Sequence, residues 1–136
     1  MSEVCVRVRV GEEHYALDVA HVVEVADLGA PTPVPGAGPA FLGVGNLHGQ
    51  VVPFLDLAAL LGAGGGPLPA RAVVVEDGVR RAGLAVDEVM SVGAAPEATE
   101  APDSSLLSGA ALLDGTLVGI VDVPALLAVA TEAAGS

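Results

Sequence analysis

An internal repeat constrains the fold of this chain more than any other feature of its sequence. Four pairs of identical residues or dipeptides are separated by the same number of positions, a distance that we call the shorter repeat spacing. They are Gly43 with Gly109, Gly49 with Gly115, Asp56 with Asp122, and Leu60-Leu61 with Leu126-Leu127. An earlier set, Leu17, Val19, Val22 and Val25, recurs as Leu84, Val86, Val89 and Val92 at a spacing one position longer, the longer repeat spacing. Turn glycines and helix-starting aspartates sit where backbone geometry demands them, so chance matching of apolar residues does not account for the repeat. The sequence predicts two copies of one unit, at approximately 4–66 and 71–130, possibly interleaved.

Each unit is predicted to contain short strands, tight turns and one short helix. Apolar valines alternate with Cys5, Arg7 and Arg9 over residues 4–10, which is typical of a half-buried strand. Two strands are expected around a turn near His48-Gly49, and another hairpin around Asp114-Gly115. The segment 20–25 is ambiguous, with apolar spacing that suits a short helical turn, and 93–105 is predicted to be a long loop.

The fold class expected from these units is all-β. Short strands with one small helix cannot form a flat sheet without exposed edges, so closure into small barrels is the economical arrangement. Barrels of about 60 residues are marginal alone and should pack on each other. A chain of 136 residues is predicted to be one domain, 1–136, made of two related β-barrels with a groove between them.

Charge and composition exclude several classes of function. The chain has no Lys, 5 Arg and 17 acidic residues, a formal net charge of -12, so a basic groove for nucleic acid or anionic lipid is not expected. No apolar run is long enough to predict a membrane span, and the single Cys5 cannot form an intramolecular disulfide. These features indicate a cytoplasmic protein without direct membrane insertion.

Candidates for chemistry are few. The histidines and Cys5 lack the spacings of metal sites, and neither a nucleophile motif nor a complete phosphate-binding loop is present. Asp56 and Asp122 each precede an apolar helical turn at equivalent positions of the repeat. Helix capping explains this pair better than acid–base catalysis does. We therefore expect no enzyme activity, metal or cofactor.

One segment resembles a known signature. Residues 43–57, GVGNLHGQVVPFLDL, are similar to the pattern G-x-x-N-L-R-G-x-x-x-P-x-x-D-L of the CheW family, the coupling proteins of bacterial chemotaxis arrays. Residues 83–89, GLAVDEV, resemble the G-x-x-V-D-x-V stretch of that family. The resemblance runs from about Val4 to Ala128, and it implies two SH3-like five-stranded β-barrels with short helices, including one at the C-terminus.

The resemblance also implies a function. Members of the family are non-catalytic adaptors that bridge the cytoplasmic tip of methyl-accepting chemotaxis receptors to the regulatory domain of the histidine kinase CheA, at receptor arrays on the inner face of the membrane. Partner contacts carried over by motif position would fall on Val22, Glu24, Gly43, His48, Gly49 and Val92, with Val73 as a further candidate. A core position is the alternative for Val22 and Val92, and a turn role for Gly43 and Gly49.

His48 departs from the signature, which usually has Arg at this position. Arg is always charged and offers a fixed fork of donors, whereas His is shorter and mostly neutral at pH 7. His48 therefore either changes receptor binding or is a solvated turn residue. Two alternatives to a free-standing chemotaxis adaptor also stay open: a CheW-like module of a kinase or receiver-domain fusion, and an adaptor of a non-flagellar chemosensory pathway.

Overall fold

The computed structural model describes residues 3–62, 67, 69–102 and 104–135, the last five by backbone alone. Ten strands, two α-helices and one 3-10 turn make up the fold. In chain order they are β1 (Val4–Val10), β2 (Glu13–Asp18), the 3-10 turn (Val19–His21), β3 (Val22–Asp27), β4 (Phe41–Leu47), β5 (Gln50–Asp56), α1 (Leu57–Leu60), β6 (Arg71–Glu76), β7 (Arg81–Val86), β8 (Glu88–Ala94), β9 (Leu107–Leu113), β10 (Thr116–Val121) and α2 (Val123–Gly135).

The strands form two five-stranded sheets, which we call sheet I and sheet II. Sheet I has the order β8-β1-β2-β10-β9, and sheet II has the order β3-β6-β7-β5-β4. Most neighbours are antiparallel, but β2 and β10 are parallel in sheet I, as are β5 and β7 in sheet II. Each sheet therefore combines strands from both halves of the sequence.

The internal duplication and the mainly β fold class are confirmed. Each strand of sheet II has an equivalent in sheet I: β3, β6, β7, β5 and β4 correspond in turn to β8, β1, β2, β10 and β9. Equivalent strands therefore occupy equivalent places in the two sheets. The equivalent aspartates cap equivalent helices: Asp56 accepts a hydrogen bond from the Ala59 N–H at 3.4 Å, and Asp122 from the Ala125 N–H at 3.1 Å. The predicted unit boundaries stay predictions, and residues 63–66 at the end of the first unit lie outside the described residues.

The expectation of closed barrels is corrected by the pairing. Among the described residues, the edge strands of each sheet are not hydrogen-bonded to one another. A loop residue instead occupies the free edge of one strand: Thr32 exchanges two backbone hydrogen bonds with Val44 on β4, at 2.8 and 2.9 Å. Glu100 pairs in the same way with Ala110 on β9. Because these edges are already paired with loops, they are not available for barrel closure.

Two strands were not predicted from the sequence. Residues 20–25, which suit a helical turn, contain only the end of the 3-10 turn capped by Asp18 and then enter β3. Residues 88–94 form β8, so the predicted loop from residue 93 begins too early. Both strands lie at sheet edges, and the pairing of each shifts by one residue, at Val23 and at Met90. A bulge interrupts the alternation of apolar and polar residues that identifies a strand.

The core has a shared part and a part belonging to each sheet. The shared part lies between the sheets and includes Leu17, Leu57, Leu84, Leu126 and Leu127, all fully buried. On its other face, sheet II has its own cluster of Leu28, Val52, Phe54, Ala72 and Ala85. The corresponding cluster of sheet I is smaller and contains only Cys5, Ala16 and Val118 as buried members.

The turn between β6 and β7 gives a prediction for acid stability. Hydrogen bonds from the backbone N–H groups of Arg80 and Val79, and from the Arg80 guanidinium, lower the pKa of Asp77 from 3.8 to about 2. A lowered folded-state pKa stabilises the protein above the unfolded-state value, and this contribution is lost as the pH falls through about 2. Asp77→Asn should therefore be less stable than the parent at neutral pH, and the difference should shrink below about pH 4. Urea unfolding of both proteins between pH 7 and pH 2 measures this, and a constant difference would contradict it.

Candidate partner-binding surface

The centre of the candidate surface is a hydrogen-bonded contact between two of the predicted site residues, which is an ion pair when His48 carries a second proton. The Nε2 atom of His48 lies 2.9 Å from Glu24 Oε2 and 3.1 Å from Oε1. Glu24 lies on β3 and His48 in the turn between β4 and β5, although β3 and β4 are opposite edges of sheet II. The sheet is therefore curled strongly enough to bring its two edges together. The His48 side chain is 75% exposed and that of Glu24 31%, so a partner can reach both.

The backbone of the β4–β5 turn explains why a histidine is accommodated there. His48 and Gly49 have φ angles of 52° and 86°, both in the left-handed region, as a two-residue hairpin turn of type I′ requires. The equivalent turn of sheet I has Asp114 and Gly115 at 50° and 80°. Asn, Asp and His are the non-glycine residues most enriched in this conformation. The positive φ angle of Gly49 shows that this glycine is required by the turn. Gly49 is also exposed, and it follows His48 directly in the sequence.

The turn conformation gives a prediction that separates backbone from side-chain effects. His48→Val should lower the free energy of unfolding by about 1–2 kcal/mol, since a β-branched residue is strained at positive φ. His48→Asn is the matched control, because Asn also adopts this conformation, and it should change stability by less than about 0.5 kcal/mol. Denaturant unfolding of the two variants compares them directly. Equal stabilities would show that the turn does not hold His48 at positive φ in solution.

The other candidates on sheet II contribute in different ways. Val22 precedes Glu24 on β3 and packs partly against the shared core. Gly43 is buried in β4, where a Cβ atom would lie 2.5 Å from the Thr32 carbonyl oxygen. Val73 on β6 is 0% exposed, so it supports the surface from behind and has no atom available to a partner in this conformation.

Val92 lies apart from these residues, on the edge strand β8 of sheet I. It is 65% exposed, so the core alternative does not apply to it. Val25 occupies the equivalent position of β3, at the longer repeat spacing, and is 38% exposed. The two edge strands β3 and β8 therefore present equivalent apolar side chains to solvent.

Two exposed valines beside the ion pair are absent from the sequence-based candidates. Val51 is the second residue of β5 after the β4–β5 turn and is 73% exposed, and Val23 lies at the bulge beside Glu24. Exposed apolar side chains next to charged ones are typical of protein-binding surfaces. No alternation in the sequence marks Val51 as exposed, because residues 51–55 are all apolar and Leu55, on the same face of β5 as Val51, is 2% exposed.

Within the described ranges, no group of three or more Cys, His, Asp and Glu side chains is arranged to hold a metal ion. Neither described helix has the length and hydropathy of a bilayer-spanning segment. The one surface that combines predicted site residues in direct contact, within the described part of the chain, is the one around Glu24 and His48.

Comparison with known families identifies the class of protein that this fold and surface define. Residues 4–131 match the CheW-like domain family, and the chain belongs to that family. The family comprises scaffold and coupling proteins of chemotaxis. The match covers all ten strands, so the resemblance of residues 43–57 to the signature extends to the whole fold.

Individual relatives have chemotaxis names. The chain is 29% identical over 128 residues to the "Probable chemotaxis protein CheW" of Rhizobium etli, covering 87% of this chain and 83% of the relative. It is 28% identical over 125 residues to the "Chemotaxis protein CheW" of Rhizobium meliloti, with coverages of 85% and 81%. Among solved structures, the scaffolding protein TtCheW of Thermoanaerobacter tengcongensis superposes with a TM-score of 0.78 at 30% identity, covering 90% of each chain.

Proposed function

We propose that this protein is a non-catalytic adaptor that couples methyl-accepting chemotaxis receptors to a CheA-type histidine kinase in bacterial chemosensory signalling. The observation that carries the proposal is the match of residues 4–131 to the CheW-like family. We further propose that it acts in the cytoplasm, at receptor arrays on the inner face of the membrane. Scaffolding needs binding surfaces rather than reactive groups, in keeping with the few candidates for chemistry in the sequence.

The receptor-facing surface is proposed to lie around Glu24 and His48. They present a carboxylate and an imidazole in contact with each other, and the exposed Val23 and Val51 are their near neighbours in the sequence. A small apolar patch with charged groups at its rim is the usual composition of a transient protein interface. The formal net charge of -12 would favour a partner whose contact patch is basic or apolar.

The second edge strand is proposed as a further part of the functional surface. Val92 is exposed on β8, and the unpaired side of this edge strand offers backbone hydrogen-bonding groups. Gly43 and Val73 belong to the proposal only as supports of the surface, because both are buried.

Calorimetric titration of this protein against the CheA-type regulatory domain of the same organism tests the adaptor proposal. Saturable one-to-one binding is expected. A second titration uses a helical-hairpin fragment of a receptor tip from that organism. No binding to either partner by the folded protein would overturn the proposal.

Two substitutions test the position of the receptor surface. Glu24→Gln and His48→Asn should each weaken binding of the receptor fragment by roughly 3–10-fold, since the first removes the Glu24 carboxylate from the surface and the second removes the His48 imidazole. Asp114→Asn is the matched control, because it makes a similar change at the equivalent turn of sheet I. Unchanged affinity in both site variants would exclude this surface while leaving the adaptor proposal in place.

His48→Arg restores the residue usual in the signature and tests what the histidine does. Tighter binding of a receptor fragment from a generic CheW system would show that His48 weakens or retunes that contact. Unchanged binding would identify it as a solvated turn residue. The two functional alternatives predict different partners: a fusion module would be found within a longer native polypeptide, and a non-flagellar adaptor would bind only the receptors of its own pathway.

A further inference from the structure

Sheet I contains a cavity that is unrelated to the proposed partner-binding surface. It has a volume of about 330 Å³ and lies between β1, β2, β9, β10 and the start of α2. The lining is mainly apolar and includes Cys5, Ala16 and Ile120. None of the candidate partner-binding residues lines it. A cavity of this size is within the range that holds small-molecule ligands.

The internal repeat provides a control that explains the cavity. In sheet II the equivalent space is filled by Phe54 and Leu28, both 4% exposed, with Leu42 packed against them. The equivalent residues of sheet I are smaller: Ile120 and Ser108 match Phe54 and Leu42 at the shorter repeat spacing, and Ala95 matches Leu28 at the longer one. All three line the cavity. The cavity is therefore the space that an aromatic ring and two leucine side chains occupy in the other half of the molecule.

The equivalence does not depend on the sequence offset alone. The strand pairing shifts by one residue at Leu42 in sheet II and at Ser108 in sheet I, so the two residues occupy matching bulges. The facing pair Cys5 and Asp18 on β1 and β2 corresponds in the same way to Ala72 and Ala85 on β6 and β7. Asp18 thus places a carboxylate where sheet II has a methyl group.

The polar groups of the cavity favour a positive charge. Asp18 and Asp122 both line it, whereas no Arg is present among its described lining residues and the sequence has no Lys. Arg7, whose charge acts on the Cys5 thiol, lies outside this lining, and its guanidinium contacts His14 Nδ1 at 3.4 Å. His21 also lines it. Its Nδ1 lies 3.0 Å from the Glu76 carbonyl oxygen, which can only accept, so Nδ1 carries the proton and Nε2 of the neutral ring is an acceptor. Two carboxylates and an acceptor nitrogen suit a ligand that donates hydrogen bonds.

We propose that this cavity binds a small organic cation, an ammonium group joined to an aromatic or branched aliphatic group of about the size of a phenylalanine side chain. The apolar group fills the space that Phe54 and its neighbours fill in sheet II. The ammonium group is neutralised by Asp18 and Asp122, and the acidic protein as a whole raises the local concentration of cations. The proposal does not depend on the adaptor function.

Titration with 2-phenylethylammonium, followed through backbone amide NMR shifts, tests the proposal on the full chain. Saturable shifts confined to the neighbourhood of Ala16, Ser108 and Ile120 are expected, with a dissociation constant of roughly millimolar or tighter. The matched anion 3-phenylpropanoate has the same ring and a similar linker, and it should bind at least about tenfold more weakly. No saturable shifts, or equal affinity for the anion, would overturn the proposal.

Variants that place the larger side chains of sheet II at the equivalent positions of sheet I test whether the ligand binds in the cavity. The double substitution Ser108→Leu with Ile120→Phe should fill the cavity, abolish binding and raise the melting temperature. Leu112→Phe is the control, because Leu112 lies on the same strand as Ser108 but is exposed. Unchanged binding in the double variant would overturn the assignment. If the double variant does not fold, Ala95→Leu provides a second way to fill the cavity. Loss of binding is again expected, and unchanged binding would again overturn the assignment.

Asp18→Asn tests the role of charge separately from volume. Asn still caps the 3-10 turn through the Ala20 N–H, which Asp18 binds at 2.9 Å, so the local fold is kept. The preference for 2-phenylethylammonium over 3-phenylpropanoate should fall severalfold in this variant. An unchanged preference would show that Asp18 does not contact the cation and would overturn that part of the proposal.

Discussion

Replacing Phe54 by alanine is expected to lower the free energy of unfolding by about 3–5 kcal/mol, the range for a buried aromatic side chain. Phe54 is 4% exposed and is the largest side chain of the cluster specific to sheet II. Its ring lies directly against two glycines of neighbouring strands: a Cβ atom would be 2.7 Å from the ring at Gly45 and 2.5 Å from it at Gly83. The ring thus fills a slot that exists only because these positions lack side chains.

Denaturant unfolding of Phe54→Ala and of the parent measures this effect. Val51→Ala is the matched control, since Val51 lies on the same strand but is 73% exposed, and it should change stability by less than about 0.5 kcal/mol. A loss below about 1 kcal/mol for Phe54→Ala would mean that the slot collapses around the smaller side chain. The packing around Phe54 in sheet II would then not indicate how much open space sheet I contains in solution.

Gly43→Ala is expected to lower the free energy of unfolding by about 2–4 kcal/mol, the sum of backbone strain and overpacking. The φ angle of Gly43 is 142°, a conformation that side chains disfavour. The nearest obstacle is backbone, since the added Cβ atom would lie 2.5 Å from the oxygen and 2.7 Å from the carbon of the Thr32 carbonyl. That carbonyl accepts a hydrogen bond from the Val44 N–H at 2.9 Å, so it cannot move away without losing the loop–strand pairing.

Two other glycines make this measurement specific. Gly38→Ala has open space and no positive φ, so it should be nearly neutral, whereas Gly49→Ala has open space but a φ of 86° and should cost about 1 kcal/mol. A Gly43→Ala effect no larger than that of Gly49→Ala would contradict the close approach of Thr32. Measuring the affinity of the folded Gly43→Ala molecules for the receptor fragment separates a structural role of Gly43 from a direct contact. If Gly43 has only a structural role, the molecules that remain folded should bind the receptor fragment with unchanged affinity.

Much of the fold could be predicted from the sequence, because repeated turns and caps have local causes. Asp56 and Asp122 cap helices as their positions before apolar turns indicate, and the turn at His48-Gly49 falls where two apolar runs meet. The sequence raised interleaving of the two units, but it could not predict which strands are exchanged between the halves. A fixed offset shows that two segments are alike, but strand pairing depends on contacts between residues far apart, such as His14 and Val118.

The candidate surface was predictable in part. The family resemblance pointed to Glu24 and the signature within it to His48, but their contact depends on the curl of sheet II, which no local pattern encodes. Val73 shows the converse difficulty. A valine in a strand of four consecutive apolar residues, 72–75, has no alternation that would distinguish a buried from an exposed position, and the structure covers both faces of the sheet at this central strand.

The mixed composition of the two sheets has a consequence for protein synthesis. In sheet I, β2 pairs with β10 and β1 pairs with β8, so both partners are synthesised after all the strands of sheet II. The first hairpin must therefore remain without its native neighbours while β3 to β7 are made. Non-local pairing of this kind folds slowly and exposes strand edges in the interval. A truncation that removes β10 would leave β2 without its parallel neighbour in sheet I.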